Sequence, residues 1–195
     1  PYLGGINSED ALTWNVFRGL QKARRLDIIS DWLQIDLGRP VAMLIWCLAP
    51  EPAGPAGELQ FQLGDLLRNN EGMIPGQISE PDVVIQGTEG LALIECRLGQ
   101  PEKAPTHLWE GSSLQRVKQR LDRYREDMPS LLKEGRTEAD VMPVYQLVRM
   151  AYYAARLGQI YKLRVSVVAV GNGWNWNRKV PRWKTVSYTH LRAHE

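Results

Sequence analysis

Histidine is nearly absent: the 195-residue chain holds three. Two of them, His190 and His194, fall in VSYTHLRAHE, Val186 to Glu195, which reads as a translated sequencing-library transposase adapter and is set aside from fold reasoning. That leaves His107 in THLWEG, a lone histidine of the structural kind, and no material for a His-based metal cluster or catalytic triad. Cysteine is as scarce. Cys47 and Cys96 sit inside apolar, strand-like runs and read as small buried hydrophobes in a reducing compartment, not as a disulfide framework. A cytoplasmic location is the corresponding expectation. No run approaches ~18 apolar residues, so no membrane span is expected. An excess of one charge is missing too: a net +2 gives no global pull toward nucleic acid or membrane. There is no internal repeat, no low-complexity segment and no initiator Met. The chain is therefore expected to be a metagenomic-type fragment open at both ends, with residues 1–185 forming one domain. The apolar share of 44% and charged share of 24% are those of an ordinary globular protein with a real core.

What is there has a regular order. Ser8 precedes Glu9-Asp10 as a candidate N-cap, and Leu12, Val16, Leu20 and Ala23 recur at helical spacing, which predicts an amphipathic helix from about Glu9 to Arg24. LDIISDWLQIDL fits a short helix or irregular structure. VAMLIWCL, residues 41 to 48, is an apolar run too short for most helices and is bounded by Gly-Arg-Pro and PEPAGPAG, so it reads as a buried strand followed by a loop over residues 50 to 57. ELQFQLGDLLRNNEG fits either a helix or a strand. VVIQ and LALIECRL are strands around a turn containing Gly87 and Gly90. SLQRVKQRLDRYRED predicts a polar helix over 113–127 with a thin apolar stripe of Leu114, Val117, Leu121 and Tyr124. VYQLVRMAYYAARLG predicts a more buried helix over 144–158, ending at Gly158, and LRVSVVAVG a strand over 163–171. The fold class expected is α/β, a mixed central β-sheet with helices on its faces.

The hairpin carries the chemistry. A symmetric turn centred between Thr88 and Glu89 sets Ile85 opposite Ala92, Val84 opposite Leu93 and Asp82 opposite Glu95. Directly opposed side chains have Cβ atoms roughly 4.5–5.5 Å apart, and side chains alternate faces along a strand. Asp82 and Glu95 then share one face, and Arg97 joins them two residues on. Opposed carboxylates repel, and burying them uncompensated costs more. A hard divalent cation resolves this, because Mg²⁺ prefers oxygen ligands and often takes only one or two protein carboxylates. The plain alternative has Asp82 capping its strand and Glu95 pairing with Arg97 on a solvated face. Leu91, Leu93 and Val84 share the acids' face, which favours a covered one.

Pro81-Asp82, a turn, then Glu95-Cys96-Arg97 resembles the PD-(D/E)XK nuclease superfamily, the restriction-endonuclease-like fold. The order of elements over residues 9 to 171 can be laid on that family's core of a helix, three strands, a helix and a fourth strand (α-β-β-β-α-β). The resemblance implies Asp82 and Glu95 as ligands of Mg²⁺ or Mn²⁺, with the Cys96 main-chain carbonyl as a third. It matches Glu9 to the acid that some members carry in the first helix, and it suggests that Gln146 and Arg149 face the site. Arg97 stands where the family usually has Lys. Arg does not give up its proton and so cannot serve as a base, though it can stabilise a phosphoryl transition state.

DNA is the expected partner. Arg116, Lys118, Arg120, Arg123 and Arg125 lie on one predicted helix, diluted by Asp122, Glu126 and Asp127. Arg178, Lys179, Arg182 and Lys184 lie near Trp174, Trp176 and Trp183, a mixture that suits a phosphate backbone with exposed bases. An ordinary solvated helix face and a tryptophan-packed sheet edge give the same patterns. The functions weighed are a metal-dependent deoxyribonuclease, an inactive nucleic-acid-binding or assembly module on the same fold, and an unrelated α/β domain whose hairpin acids form a surface ion pair.

Overall fold

Residues 9–71, 80–97, 111–129, 145–171 and 188–189 are described by the computed structural model. Ser8 and His107 lie outside them. Among them the order is α1 (Glu9–Lys22), α2 (Asp27–Leu33), β1 (Pro40–Ile45), α3 (Pro55–Glu71), β2 (Val83–Gly87), β3 (Gly90–Arg97), α4 (Gly111–Asp127), α5 (Tyr145–Tyr161), β4 (Arg164–Gly171) and β5 (Tyr188–Thr189). The strands form one mixed sheet in the order β1-β2-β3-β4-β5. Strands β1, β2 and β3 are successively antiparallel, β4 runs parallel to β3, and β5 is antiparallel to β4. β5 lies within the stretch that the sequence reading sets aside; it pairs with Ser166 and Val167 along the edge of β4, where unpaired N–H and C=O groups accept any extended segment.

Alternation along the strands divides the core into two layers. Leu44, Val84, Leu91, Leu93, Val165 and Val167 meet Leu59, Leu63 and Leu67 of α3, Val117, Leu121 and Tyr124 of α4, and Met150, Tyr153 and Leu157 of α5. Met43, Ile45, Val83, Ile85, Ala92 and Ile94 face the other way, onto Phe17 of α1, Ile29 of α2, and Leu37. The sheet is thus covered by helices on both faces, as its continuous apolar strands require.

Several elements differ from the sequence reading for local reasons. On α1 the buried positions are Thr13 and Phe17, and Leu12 is left 47% exposed. The loop after β1 is shorter than expected, because Pro55 opens α3; a proline at the first helical position loses no hydrogen bond. β1 stops at Ile45, where Trp46 and Cys47 turn into the left-handed region with φ of 49° and 59°. Gly158 does not end α5. The helix runs on to Tyr161, Lys162 takes the left-handed position at φ 55°, and Leu163 N–H bonds back to the Gly158 carbonyl at 3.1 Å, a Schellman closure. Gly158 is small for another reason: a Cβ there would sit 2.4 Å from Val165 Cγ1, so the glycine lets α5 approach β4.

α4 docks on α5 through three aromatic rings. Tyr124 stacks on Tyr152 at 4.2 Å, and Tyr153 meets Tyr152 edge-on at 5.4 Å. The Tyr152 hydroxyl donates to Asp127 Oδ2, with Asn70 Oδ1 3.2 Å away. Burial first, then the Asp127 carboxylate, pushes Tyr152 up to about 12; burial and then Glu58 do the same to Tyr161. A raised folded-state pKa means stability fully present below the unfolded value of about 10 and lost as the pH climbs through about 12. The thermal midpoint is therefore expected to fall between about pH 10 and 12 and to fall less steeply in Tyr152→Phe. Identical pH profiles for the two proteins would refute this assignment.

Candidate metal centre

Asp82 is fixed from two sides before it does any chemistry. Its main-chain carbonyl accepts the N–H of Trp46 at 3.0 Å, tying it to the turn after β1. Its carboxylate Oδ2 accepts the N–H of Cys96 at 2.6 Å. Pro81 just before it is buried and has no N–H, so the ladder cannot run on through that residue in the regular way. The Asp82 side chain takes over as acceptor for β3. The strand-cap role weighed from sequence is therefore real, and it brings the carboxylate onto the Glu95-Cys96-Arg97 segment.

The hairpin register is the one read from the turn. Val83 pairs with Ile94, Val84 with Leu93, Ile85 with Ala92 and Gln86 with Leu91. The paired residues end at Val83 and Ile94; continued by one residue, that register would set Asp82 opposite Glu95. Glu95 has the parity of Leu91 and Leu93, on the face covered by α5, and is 4% exposed. The solvated face that the surface-ion-pair reading needs is absent at this residue. Gln146 Nε2, near the start of α5, donates to Glu95 Oε2 at a long 3.4 Å. Arg149 lies three residues on, on the same stripe of α5, and is 3% exposed. A carboxylate taken out of water is costly unless charges or donors compensate it. The Gln146 amide is one such donor.

The donor set suits a hard cation. Asp82 and Glu95 supply carboxylate oxygens. The N–H and C=O of one strand residue point to the same neighbouring strand, so the Cys96 carbonyl is turned to the β2 side, where Asp82 already meets its N–H. Among the described residues no group of three or more His, Cys, Asp and Glu side chains converges. Were an ion held here, Asp82 and Glu95 would offer carboxylate oxygens and Cys96 its main-chain carbonyl. That is a small oxygen set of the kind that Mg²⁺ completes with water, and a poor one for soft metals.

The remaining residues divide. Glu9 opens α1, which packs on the opposite face of the sheet; its side chain, like those of Arg97 and Arg116, lies outside the described ones. Arg97 itself ends β3, paired with Gly171. On α4, Lys118 is exposed and Arg120 half-buried. Arg123 bonds the carbonyls of Asn69 and Asn70 at 2.9 and 3.0 Å and so closes the end of α3, and Arg125 pairs with Asp122. Both side chains are thus engaged within the fold while Arg123 stays exposed. Trp174, Trp176, Arg178 and Lys179 lie outside the described residues. Among the described residues no helix is long and apolar enough to cross a membrane. Sequence reasoning missed a cavity of about 570 Å³ next to Asp82, reached by Asp10, Trp46, Arg68 and Glu80, though Asp82 and Glu95 are not on its wall. The one signal for it was the tryptophan breaking an otherwise aliphatic run. Comparison of the chain with protein-family models, with curated proteins and with solved structures returns no match.

Proposed function

We propose that the chain is a metal-dependent nuclease-like domain that hydrolyses DNA phosphodiester bonds at Asp82 and Glu95, with Mg²⁺ or Mn²⁺ as its cofactor. The observation that carries this is the meeting of the Asp82 carboxylate with the Cys96 main chain, beside a Glu95 buried on the helix-covered face. The order of a helix, three antiparallel strands, a helix and a fourth strand parallel to the third supports the resemblance to the PD-(D/E)XK superfamily, with α2, α3, α4 and β5 as additions.

In this reading Asp82, Glu95 and the Cys96 carbonyl hold the ion. When bound, a divalent ion supplies Lewis acidity toward a phosphoryl oxygen and a water acidic enough to attack phosphorus in line. The Cys96 N–H fixes one oxygen of Asp82, and Gln146 orients Glu95. Arg97 contributes a permanent positive charge where the phosphorane forms and takes no proton. The attacking water would add its oxygen to phosphorus as its proton passes to solvent, and the bond to the leaving deoxyribose oxygen would break as that oxygen takes up a proton from solvent.

Arg97 also favours a second reading, an inactive nucleic-acid-binding module, because a Lys-specific step is closed to it. Cleavage assays with Mg²⁺ and Mn²⁺ on single- and double-stranded DNA decide between them. The nuclease reading expects metal-dependent cleavage that Asp82→Ala removes. Cleavage unchanged by Asp82→Ala rules out this site. A folded protein that binds DNA but neither cleaves it nor takes up Mn²⁺ is the inactive module.

A further inference from the structure

The cavity beside Asp82 belongs to none of the roles assigned above. At about 570 Å³ it has the size of a small-molecule site, for which ~300–1,000 Å³ is usual. Trp46 forms part of its wall, its ring set by stacking on Trp14 at 6.0 Å and 10°. Leu48 and Leu67 add apolar surface, and Leu48 is 62% exposed. Asp10 and Glu80 bring two carboxylates, which only accept hydrogen bonds when ionised. Arg68 brings one guanidinium, about half exposed and 3.6 Å from Asp65.

A ligand that complements this wall has a flat ring for the tryptophan, N–H donors on the ring edge for the carboxylates, and an anionic group for Arg68. A nucleotide has all three. The position fits as well. Glu80 lies two residues before Asp82, and the Trp46 N–H is bonded to the Asp82 carbonyl, so the cavity and the candidate metal centre share one stretch of backbone. We propose that the cavity receives one unpaired base of a DNA strand, guanine before the others, next to the phosphodiester to be cut. Guanine presents adjacent N1–H and N2–H donors that one carboxylate can accept together, whereas thymine offers a single N–H. A paired base has these donors engaged, so the substrate is single-stranded or has a base turned out of the helix. The identity of the phosphodiester substrate rests on the nuclease reading; the binding of a nucleotide does not.

The test is made on the full chain in EDTA, by equilibrium dialysis of deoxyguanosine and thymidine monophosphates. Gly64, on the wall of the cavity, allows a clean block. A Cβ there meets only the flexible end of Arg68, at 3.4 Å, and a helical glycine gives way readily to leucine. Deoxyguanosine monophosphate is expected to bind at least about fivefold tighter than thymidine monophosphate, the low end of what one paired contact to a base edge supplies. Gly64→Leu is expected to weaken it by about tenfold or more, with Mn²⁺ binding unchanged. Absence of nucleotide binding, or binding indifferent to Gly64→Leu, overturns the proposal. Loss of Mn²⁺ binding and cleavage in a chain that still takes up the nucleotide fells the nuclease reading and leaves the pocket standing.

Discussion

On the nuclease reading, Glu95→Gln is expected to lower metal-dependent cleavage of DNA by on the order of 10³-fold while the protein stays folded. The substitution keeps the shape of the side chain and removes its charge. The size follows from the role: a catalytic ion supplies several kcal/mol of transition-state stabilisation, and ~1.4 kcal/mol is a factor of ten in rate. Glu95 is 4% exposed, on the face under α5, so water cannot simply replace its oxygens as ligands. The Asp82–Cys96 bond does not involve Glu95 and stays in place in the variant. Cleavage rates and Mn²⁺ affinity, measured together, check the claim. Loss of both is expected, with the circular-dichroism spectrum and thermal midpoint close to those of the parent. Adding Asp82→Ala to Glu95→Gln should cost little more, because residues that serve one ion fail together rather than additively. Full additivity would mean that the two acids act separately, and undiminished cleavage would remove Glu95 from the site.

The hairpin was the most legible part of the chain, because two constraints agreed there. Gly87 and Gly90 flank a two-residue turn, and the alternation on either side leaves one register that keeps the apolar residues on covered faces. Continued by one residue, that register would set the two acids across from each other. The stretch around α3 was not legible. Leu59, Phe61 and Leu63 alternate as a strand would, whereas Leu59, Leu63, Leu66 and Leu67 recur as on a helix. The structure buries the second set and leaves Phe61 65% exposed, so tertiary burial chose the period. The turn at Trp46 and Cys47 was hidden for a different reason. Left-handed backbone at two bulky residues has no compositional signal, and the cavity beside Asp82 depends on that turn. Arg123 looked like one more cation on a basic helix; its bonds to the last carbonyls of α3 join residues more than 50 apart in sequence, beyond any local pattern. The burial of Glu95 lay between these cases. Its face could be read from parity, but its cover is α5, and Gln146 reaches it across 51 residues.

Gly87→Ala should cost about 3–5 kcal/mol of stability, in the range reserved for core overpacking with broken hydrogen bonds. The added Cβ would lie 1.9 Å from the carbonyl oxygen of Leu37 and 3.1 Å from its side chain. Nothing there can give way cheaply. Leu37 is 1% exposed in the layer under α1 and α2, and its carbonyl already accepts the N–H of Glu89 at 3.0 Å. Arg39, two residues after Leu37, is bonded to Thr88 in both directions, carbonyl to N–H at 3.0 Å and N–H to Oγ1 at 3.1 Å. Moving Leu37 aside therefore breaks the clamp that holds the turn. At roughly 2–4 °C per kcal/mol for a chain of this size, the thermal midpoint should drop by about 6–20 °C. Gly19→Ala is the control. That glycine lies exposed within α1 with nothing within 4 Å of its added Cβ, and the change should stabilise by up to about 1 kcal/mol. Below its midpoint the Gly87→Ala protein should keep its Mn²⁺ affinity, because the turn lies some five residues, ~17 Å of strand, from the acids. A midpoint unmoved by Gly87→Ala would show that the loop before β1 is not clamped on the hairpin. Metal binding lost well below the midpoint would show instead that the turn alone sets the spacing of the two carboxylates.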